Sequence, residues 1–316
     1  METTRREFIR TMTAGTATVM AGPSLFACSV PLALPPRPMC VFTKCLQFLD
    51  YDRIGETLAK AGFDGADLSV RKGGNVEPES IKTDLPRAVK ALRKSGISVP
   101  MMVSGINNPD DPLTEQVLGT AAEQGLKYYR MGYLNYDPAK SVPENLDNHK
   151  KVFEKLQILN QKYGIIGDYQ NHSGTRVGGP VWDLYHLLKD CDPAFIGIQY
   201  DIHHAVVEGA ASWTVGMKLL SPWIHTVPLK DFIWIKQKDR WRTQEMPLGQ
   251  GMIDYNAFLK EYKNYGIEAP VTLHLEYDLG GAETGGLNPK KSLEEILVYL
   301  KTDLAWARNK FAEFGL

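Results

Sequence analysis

From Met39 to the C-terminus, short runs rich in β-branched and apolar residues alternate with longer amphipathic stretches, and this rhythm constrains the fold more than any other feature. The runs fall at 40–44, 65–68, 98–103, 128–131, 165–170, 196–201, 224–230 and 271–276. Helix candidates lie between and after them, near 52–62, 77–95, 113–125, 143–163, 180–190, 212–221, 254–265 and 292–312. In 51–61 and 293–311 apolar residues recur every three or four positions, the spacing that buries one helix face. Eight βα units in roughly 280 residues predict a single closed (β/α)₈ barrel, since an open doubly wound sheet uses fewer strands per core. One insertion follows the seventh run: 232–236 and 240–242 flank Gln237-Lys238-Asp239, which reads as a hairpin over the barrel mouth.

The first residues have a different character. Thr4-Arg5-Arg6-Glu7-Phe8-Ile9-Arg10 resembles a twin-arginine export signal, and the uncharged, mildly apolar stretch 11–27 is too short and polar for a membrane span. Leu25-Phe26-Ala27-Cys28 resembles a lipobox, which makes Cys28 the candidate lipidation site. Pro31, Pro35, Pro36 and Pro38 then stiffen a tether. The expected organisation is a cleavable export segment over 1–27, a tether over 28–38 and a barrel over 39–316. The expected location is the periplasm, either free or as a membrane-anchored lipoprotein.

With 36 Lys plus Arg against 37 Asp plus Glu, the net charge of -1 supplies no basic field for gathering phosphates, which argues against nucleic-acid partners. The four cysteines, Cys28, Cys40, Cys45 and Cys191, form no CxxC pair and no disulfide framework.

Strands of such a barrel are covered on both sides, so polar residues at every second position need a reason. Asp168-Tyr169-Gln170-Asn171-His172, Gln199-Tyr200-Asp201 and His274-Leu275-Glu276 each carry polar groups on one parity and apolar groups on the other. The polar parity is expected to face inward at the C-terminal strand ends, where barrel enzymes build their sites. Gln170, His172, Asp201, His274 and Glu276 would meet there, joined by Lys230 and by His203 or His204. The alternative is a polar plug whose groups satisfy one another. Arg176 and Trp234 are further candidates for substrate contact, and Trp213, Trp234 and Trp241 lie where an aromatic face could stack on a sugar. Gly249-Gln250-Gly251 reads as a turn over the mouth rather than a dinucleotide cradle, and Gly280, Gly281, Gly285 and Gly286 as a loop or a backbone anion nest.

Gln170-Asn171-His172, Asp201-Ile202-His203-His204-Ala205, Leu229-Lys230-Asp231, Pro247-Leu248-Gly249-Gln250-Gly251 and Leu275-Glu276-Tyr277 resemble the strand-end motifs of xylose-isomerase-like barrels described as sugar phosphate isomerases/epimerases. The resemblance implies one divalent metal, Mn²⁺, Mg²⁺ or Zn²⁺, held by a Glu, an Asp, a His and a Glu on successive strands. Asp201 and Glu276 match two of these places, and His204 matches the family's substrate-contacting His. Two places depart: Gln170 stands for the Glu, and Pro228 for the His. Pro228 also removes a ladder donor and suggests a bulge. The parity of His225 points it outward, so His274 is the expected third ligand beside Asp201 and Glu276.

The function expected on this reading is proton abstraction next to a sugar carbonyl, in an exported sugar isomerase/epimerase whose partner is a small carbohydrate. Glu276 or His172 would act as base, and Lys230 or His204 would stabilise the oxyanion. Loss of one carboxylate also leaves room for a lyase or hydrolase acting on a keto-sugar or keto-glycoside. A sugar-binding lipoprotein without catalysis is the remaining alternative.

Overall fold

The computed structural model describes residues 37–316. The twin-arginine stretch, the lipobox with Cys28 and most of the tether lie outside the described residues. Eight parallel strands close into a barrel: β1 (Met39–Phe42), β2 (Gly65–Val70), β3 (Ser98–Ser104), β4 (Tyr128–Arg130), β5 (Ile166–Gln170), β6 (Ile196–Gln199), β7 (Ile224–Leu229) and β10 (Val271–Leu273). β1 pairs with both β2 and β10, which completes the circle. Between β7 and β10, the antiparallel pair β8 (Asp231–Gln237) and β9 (Arg240–Met246) forms the expected hairpin. Its turn residues Lys238 and Asp239 have φ of 47° and 60°, the left-handed conformation that two-residue hairpin turns require.

Nine α-helices surround the barrel among the described residues: α1 (Tyr51–Ala61), α2 (Ile81–Lys94), α3 (Pro112–Glu123), α4 (Val142–Tyr163), α5 (Val181–Leu188), α6 (Ile202–Gly209), α7 (Trp213–Leu220), α8 (Tyr255–Asn264) and α9 (Leu293–Glu313). Local chemistry sets their starts. Asp50, Asp111 and Asp254 each accept a hydrogen bond from a first-turn amide, and Ser141 with Glu144 and Ser292 with Glu295 form reciprocal capping boxes. No described helix is long and apolar enough to cross a membrane.

Three details depart from the sequence reading. A single helix near 212–221 is expected after the sixth run, whereas the structure has α6 before it, starting at Ile202 with Asp201 as its N-cap. That helix fixes His203 and His204 in its first turn. The irregularity in β7 does not fall at Pro228, which pairs in register with Thr272. It falls between β6 and β7, where Ile198 pairs with Ile224 and Gln199 with Thr226, leaving His225 as the extra residue. The bulge turns the His225 ring onto Asp168 at 2.8 Å, with Gly197 beneath it, so alternation does not send it outward.

Candidate functional site

The C-terminal strand ends carry a cage of ion pairs. Lys230, just past β7 and 4% exposed, places its ammonium 2.7 Å from His204 Nε2, 3.0 Å from Glu276 Oε2 and 3.2 Å from Asp201 Oδ2. Lys44, just past β1, reaches Glu276 Oε1 at 2.6 Å. Asp201 Oδ2 also accepts the Gln170 side-chain amide at 2.7 Å, while Arg130 (2.9 Å) and Tyr133 (2.5 Å) donate to the Gln170 carbonyl. Those two donors fix which end of Gln170 faces Asp201.

The histidines form a stack over this cage. His172 lies 3.8 Å from His204, His204 4.6 Å from His203, and His203 4.4 Å from Phe232 of the hairpin, centroid to centroid. His204 Nδ1 contacts Ser173 Oγ at 2.9 Å. The Lys230 ammonium can only donate, so His204 Nε2 accepts and Nδ1 carries the proton. From the hairpin, Glu245 brings a carboxylate oxygen 3.4 Å from His203 Nδ1.

Burial and charge act against each other here. Burial alone would raise the Asp201 carboxyl, yet the Lys230 ammonium holds it well below the usual range. Glu276 follows the same logic, with burial overcome by Lys230 and Lys44. For Lys230, burial favours the neutral amine, and Asp201 and Glu276 outweigh it and keep the ammonium. Burial pushes Glu245 up to about 7, against the pull of Lys230 and aided by repulsion from Glu276 and Asp201. Burial, then Lys230, lowers His172 and brings His203 down to about 4, so both rings are neutral at pH 7.

The sequence candidates are thus partly brought together. Gln170, His172, Asp201, His203, His204, Lys230 and Glu276 share the mouth. Arg176 lies at its rim, with its guanidinium 4.9 Å from the Tyr133 ring centroid. Trp234 is exposed on β8, edge-on to Phe232 at 6.1 Å. Trp241 is exposed on β9, whereas Trp213 is buried and packs near Phe258 at 6.3 Å. His274 points elsewhere: it lies 4.9 Å from Phe42, with Nε2 3.9 Å from Asp67 Oδ2.

Lys44, Glu245, Asp67, Arg130 and Arg71 were not anticipated. Lys44 continues the parity of Cys40 and Phe42 at a strand end, so the inward-polar rule applied to the first strand would have found it. Glu245 gives no such sign, because it stands on a hairpin strand with one face to solvent. Beside the cage a cleft of about 210 Å³ opens at the ends of β2 and β3, lined by Arg71, Ser104 and Asn107 among others. Arg71 borders both regions, over the Phe42 ring at 5.3 Å.

The two glycine motifs have structural explanations. Asp231 accepts the amides of Gly249 (3.1 Å), Gly251 (3.0 Å) and Ile253 (3.2 Å), tying the turn down over the mouth. A Cβ on Gly251 would meet Asp231 Oδ1 at 2.0 Å. In the later loop, Gly280 and Gly281 donate to Asp278 and Glu283, so those amides are spent on carboxylates rather than held open for an anion.

A divalent ion would have to be held here, and the expected set does not assemble. The described residues bring Asp201, His203 and His204 within 4.8 Å of one another, a group that by distance could hold one; Glu276 and His274 are not in it. Asp201 recruits these histidines because it caps the helix that carries them, whereas Glu276 is drawn to two lysines and His274 faces β2. The chemistry of the donors opposes the family's ion. Pro228 has no ligand atom, Gln170 turns its N–H toward Asp201, and both nitrogens of His204 are committed.

Among curated proteins none matches this chain. Solved structures match it in fold. D-allulose 3-epimerase from Methylomonas sp., in complex with D-allulose, aligns with a TM-score of 0.64 at 14% identity, covering 88% of this chain and 99% of that one. 3-Keto-D-glucoside 4-epimerase from E. coli aligns at 0.61 with 14% identity, covering 86% and 99%. A probable 3-DHS dehydratase involved in petrobactin synthesis from Bacillus anthracis aligns at 0.62 with 14% identity, covering 86% and 98%. At such identities the likeness is one of fold. Sequence carries the assignment further, for residues 56–302 match the family described as xylose isomerase-like TIM barrel, and the chain belongs to that family.

Proposed function

We propose that the chain is an exported carbohydrate-active enzyme of the sugar isomerase/epimerase type, abstracting a proton next to a sugar carbonyl. The observation that carries this reading is Glu276 at the mouth, gripped by Lys44 and Lys230. A base flanked by two ammonium groups is what enolisation needs. Lys44 makes one bond to Glu276 and keeps donors for a carbonyl oxygen, and its charge acidifies the adjacent C–H. As that oxygen engages the ammonium groups, Glu276 is released from them and gains basicity. The proton passes to Glu276, the electron pair of the C–H bond forms a carbon–carbon double bond, and the carbonyl π pair moves onto the oxygen, giving an enediolate. Glu245, poised at about 7, is suited to return a proton from the hairpin side. Unspent polar atoms support a polyhydroxylated ligand: Arg130 Nε, both His203 nitrogens, Gln199 Oε1 and Glu245 Oε2 are buried without a hydrogen-bond partner.

A lyase or hydrolase acting on a keto-glycoside is the second reading, favoured by Gln170, which stands where the family has a carboxylate and so removes one of the two that would shuttle the proton. Export rests on Arg5-Arg6 and anchoring on Cys28. A panel of ketoses, aldoses and keto-glycosides incubated with the enzyme in D₂O and followed by NMR tests the chemistry. Deuterium entering next to the carbonyl with the skeleton intact supports isomerisation or epimerisation, and release of an aglycone supports the second reading. Absence of exchange and of products across the panel would reject both.

A further inference from the structure

We propose that the Lys230 ammonium is the resident cation of this barrel, standing where the family's divalent ion would stand, and that the site binds and turns over its sugar without a metal. The sugar part rests on the function proposed above; the cation part rests on geometry alone.

Charge supports it first. In the cage two carboxylates, Asp201 and Glu276, face two ammonium groups, Lys230 and Lys44, so the cage is already neutral. Glu245 stands beyond it, against His203. A divalent ion added to the cage would leave two positive charges in excess. Exchange of a family Glu for Gln170 removes one of the negative charges that such an ion would need.

Coordination supports it independently. Of the group Asp201, His203 and His204, only His203 has nitrogens without a partner; Asp201 Oδ2 and His204 Nε2, 3.6 Å apart, are both contacted by Lys230, at 3.2 and 2.7 Å. Gln170 Nε2 occupies Asp201 Oδ2 from the other side at 2.7 Å, held there by Arg130 and Tyr133. Both oxygens of Glu276 are taken, one by each lysine. Pro228, where a ligating imidazole is expected, leaves nothing to compete with the ammonium. The two hydrogen bonds of Lys230 and its ion pair to Asp201 therefore hold together the carboxylates that a metal would otherwise organise.

The test is calorimetric titration of the purified protein with MnCl₂ and with ZnCl₂, together with metal analysis after dialysis against EDTA. The wild type is expected to show no stoichiometric uptake at micromolar ion. Lys230→Met combined with Gln170→Glu and Pro228→His should bind Mn²⁺ at least about 100-fold more tightly, since individual ligand-shell changes are worth roughly 10- to 100-fold. One equivalent of Mn²⁺ or Zn²⁺ bound by the wild type at micromolar concentration would overturn the proposal, as would a folded triple variant with unchanged affinity. If the triple variant does not fold, the wild-type titration decides. These readouts need no turnover, so a sugar panel without product bears on the enzyme reading alone. Turnover abolished by EDTA and restored by Mn²⁺ would defeat the metal-free site while leaving the enzyme intact.

Discussion

Two carboxylate clusters lie on the inward side of adjacent strands, and they behave differently. In the middle of β5, Asp168 spends one oxygen on His225 and the other on Thr226, each at 2.8 Å. At the mouth, Lys230 pairs with Asp201 at 3.2 Å and with Glu276 at 3.0 Å, and the three are ringed by buried atoms with no partner, including those of His203, Gln199 and Glu245. A closed network rigidifies a fold, whereas one with unspent capacity beside an opening is prepared for a ligand. Inward polar residues alone therefore do not mark a site; at the mouth they are joined by unspent hydrogen-bonding atoms converging on one cage.

The sharpest break in this comparison is expected from Glu276→Gln. Removing the proposed base should lower kcat/KM for a sugar turned over in the panel by about 10²- to 10⁴-fold, with only a small change in melting temperature, because Lys230 keeps its contact to Asp201. Steady-state kinetics and a thermal melt read the two together. A collapse in stability would assign Glu276 to the scaffold instead.

Asp168→Ala should do the reverse. It strips His225 and Thr226 of their shared acceptor, and breaking a buried pair costs about 3–5 kcal/mol, measurable by urea unfolding, while the mouth residues keep their contacts.

A subtler contrast lies in pH. Burial would lower His225, but Asp168 outweighs it and raises its pKa above the ordinary value, against a small opposing effect of Lys127. The folded state therefore binds the proton more tightly than the unfolded chain. That stability is fully present below the unfolded value near 6.5 and is lost as pH rises through the folded value. In His225→Gln the fall in unfolding free energy over that alkaline window should be reduced relative to wild type. A parallel decline in both proteins would place the titration elsewhere.

The smallest effect is expected at Trp234, exposed on the hairpin. Trp234→Ala should raise KM by a few-fold if the ring covers bound sugar, with kcat and melting temperature unchanged. An unaltered KM would confine recognition to the cage and the adjoining cleft.

Much of this protein is legible in the chain itself. Every one of the eight barrel strands was marked by composition and spacing, because a two-sided buried strand must be apolar over a short run and its helix must be amphipathic. The hairpin was marked by its turn. The inward parity of Gln170, Asp201 and Glu276 followed from strand alternation, which is a local property. What alternation could not decide was anything that depends on which residues meet across the barrel. The bulge at His225 belongs to the pairing of β6 with β7. Lys44 and Glu276 are distant in sequence and adjacent only because β1 and β10 pair to close the barrel. Glu245 enters because the hairpin folds over the mouth, bringing its carboxyl to His203. The sequence by itself determined the barrel and the set of polar side chains inside it. The tertiary structure decided their partners, and through burial and pairing their charges, because electrostatic energy depends on distances in space that no spacing along the chain records.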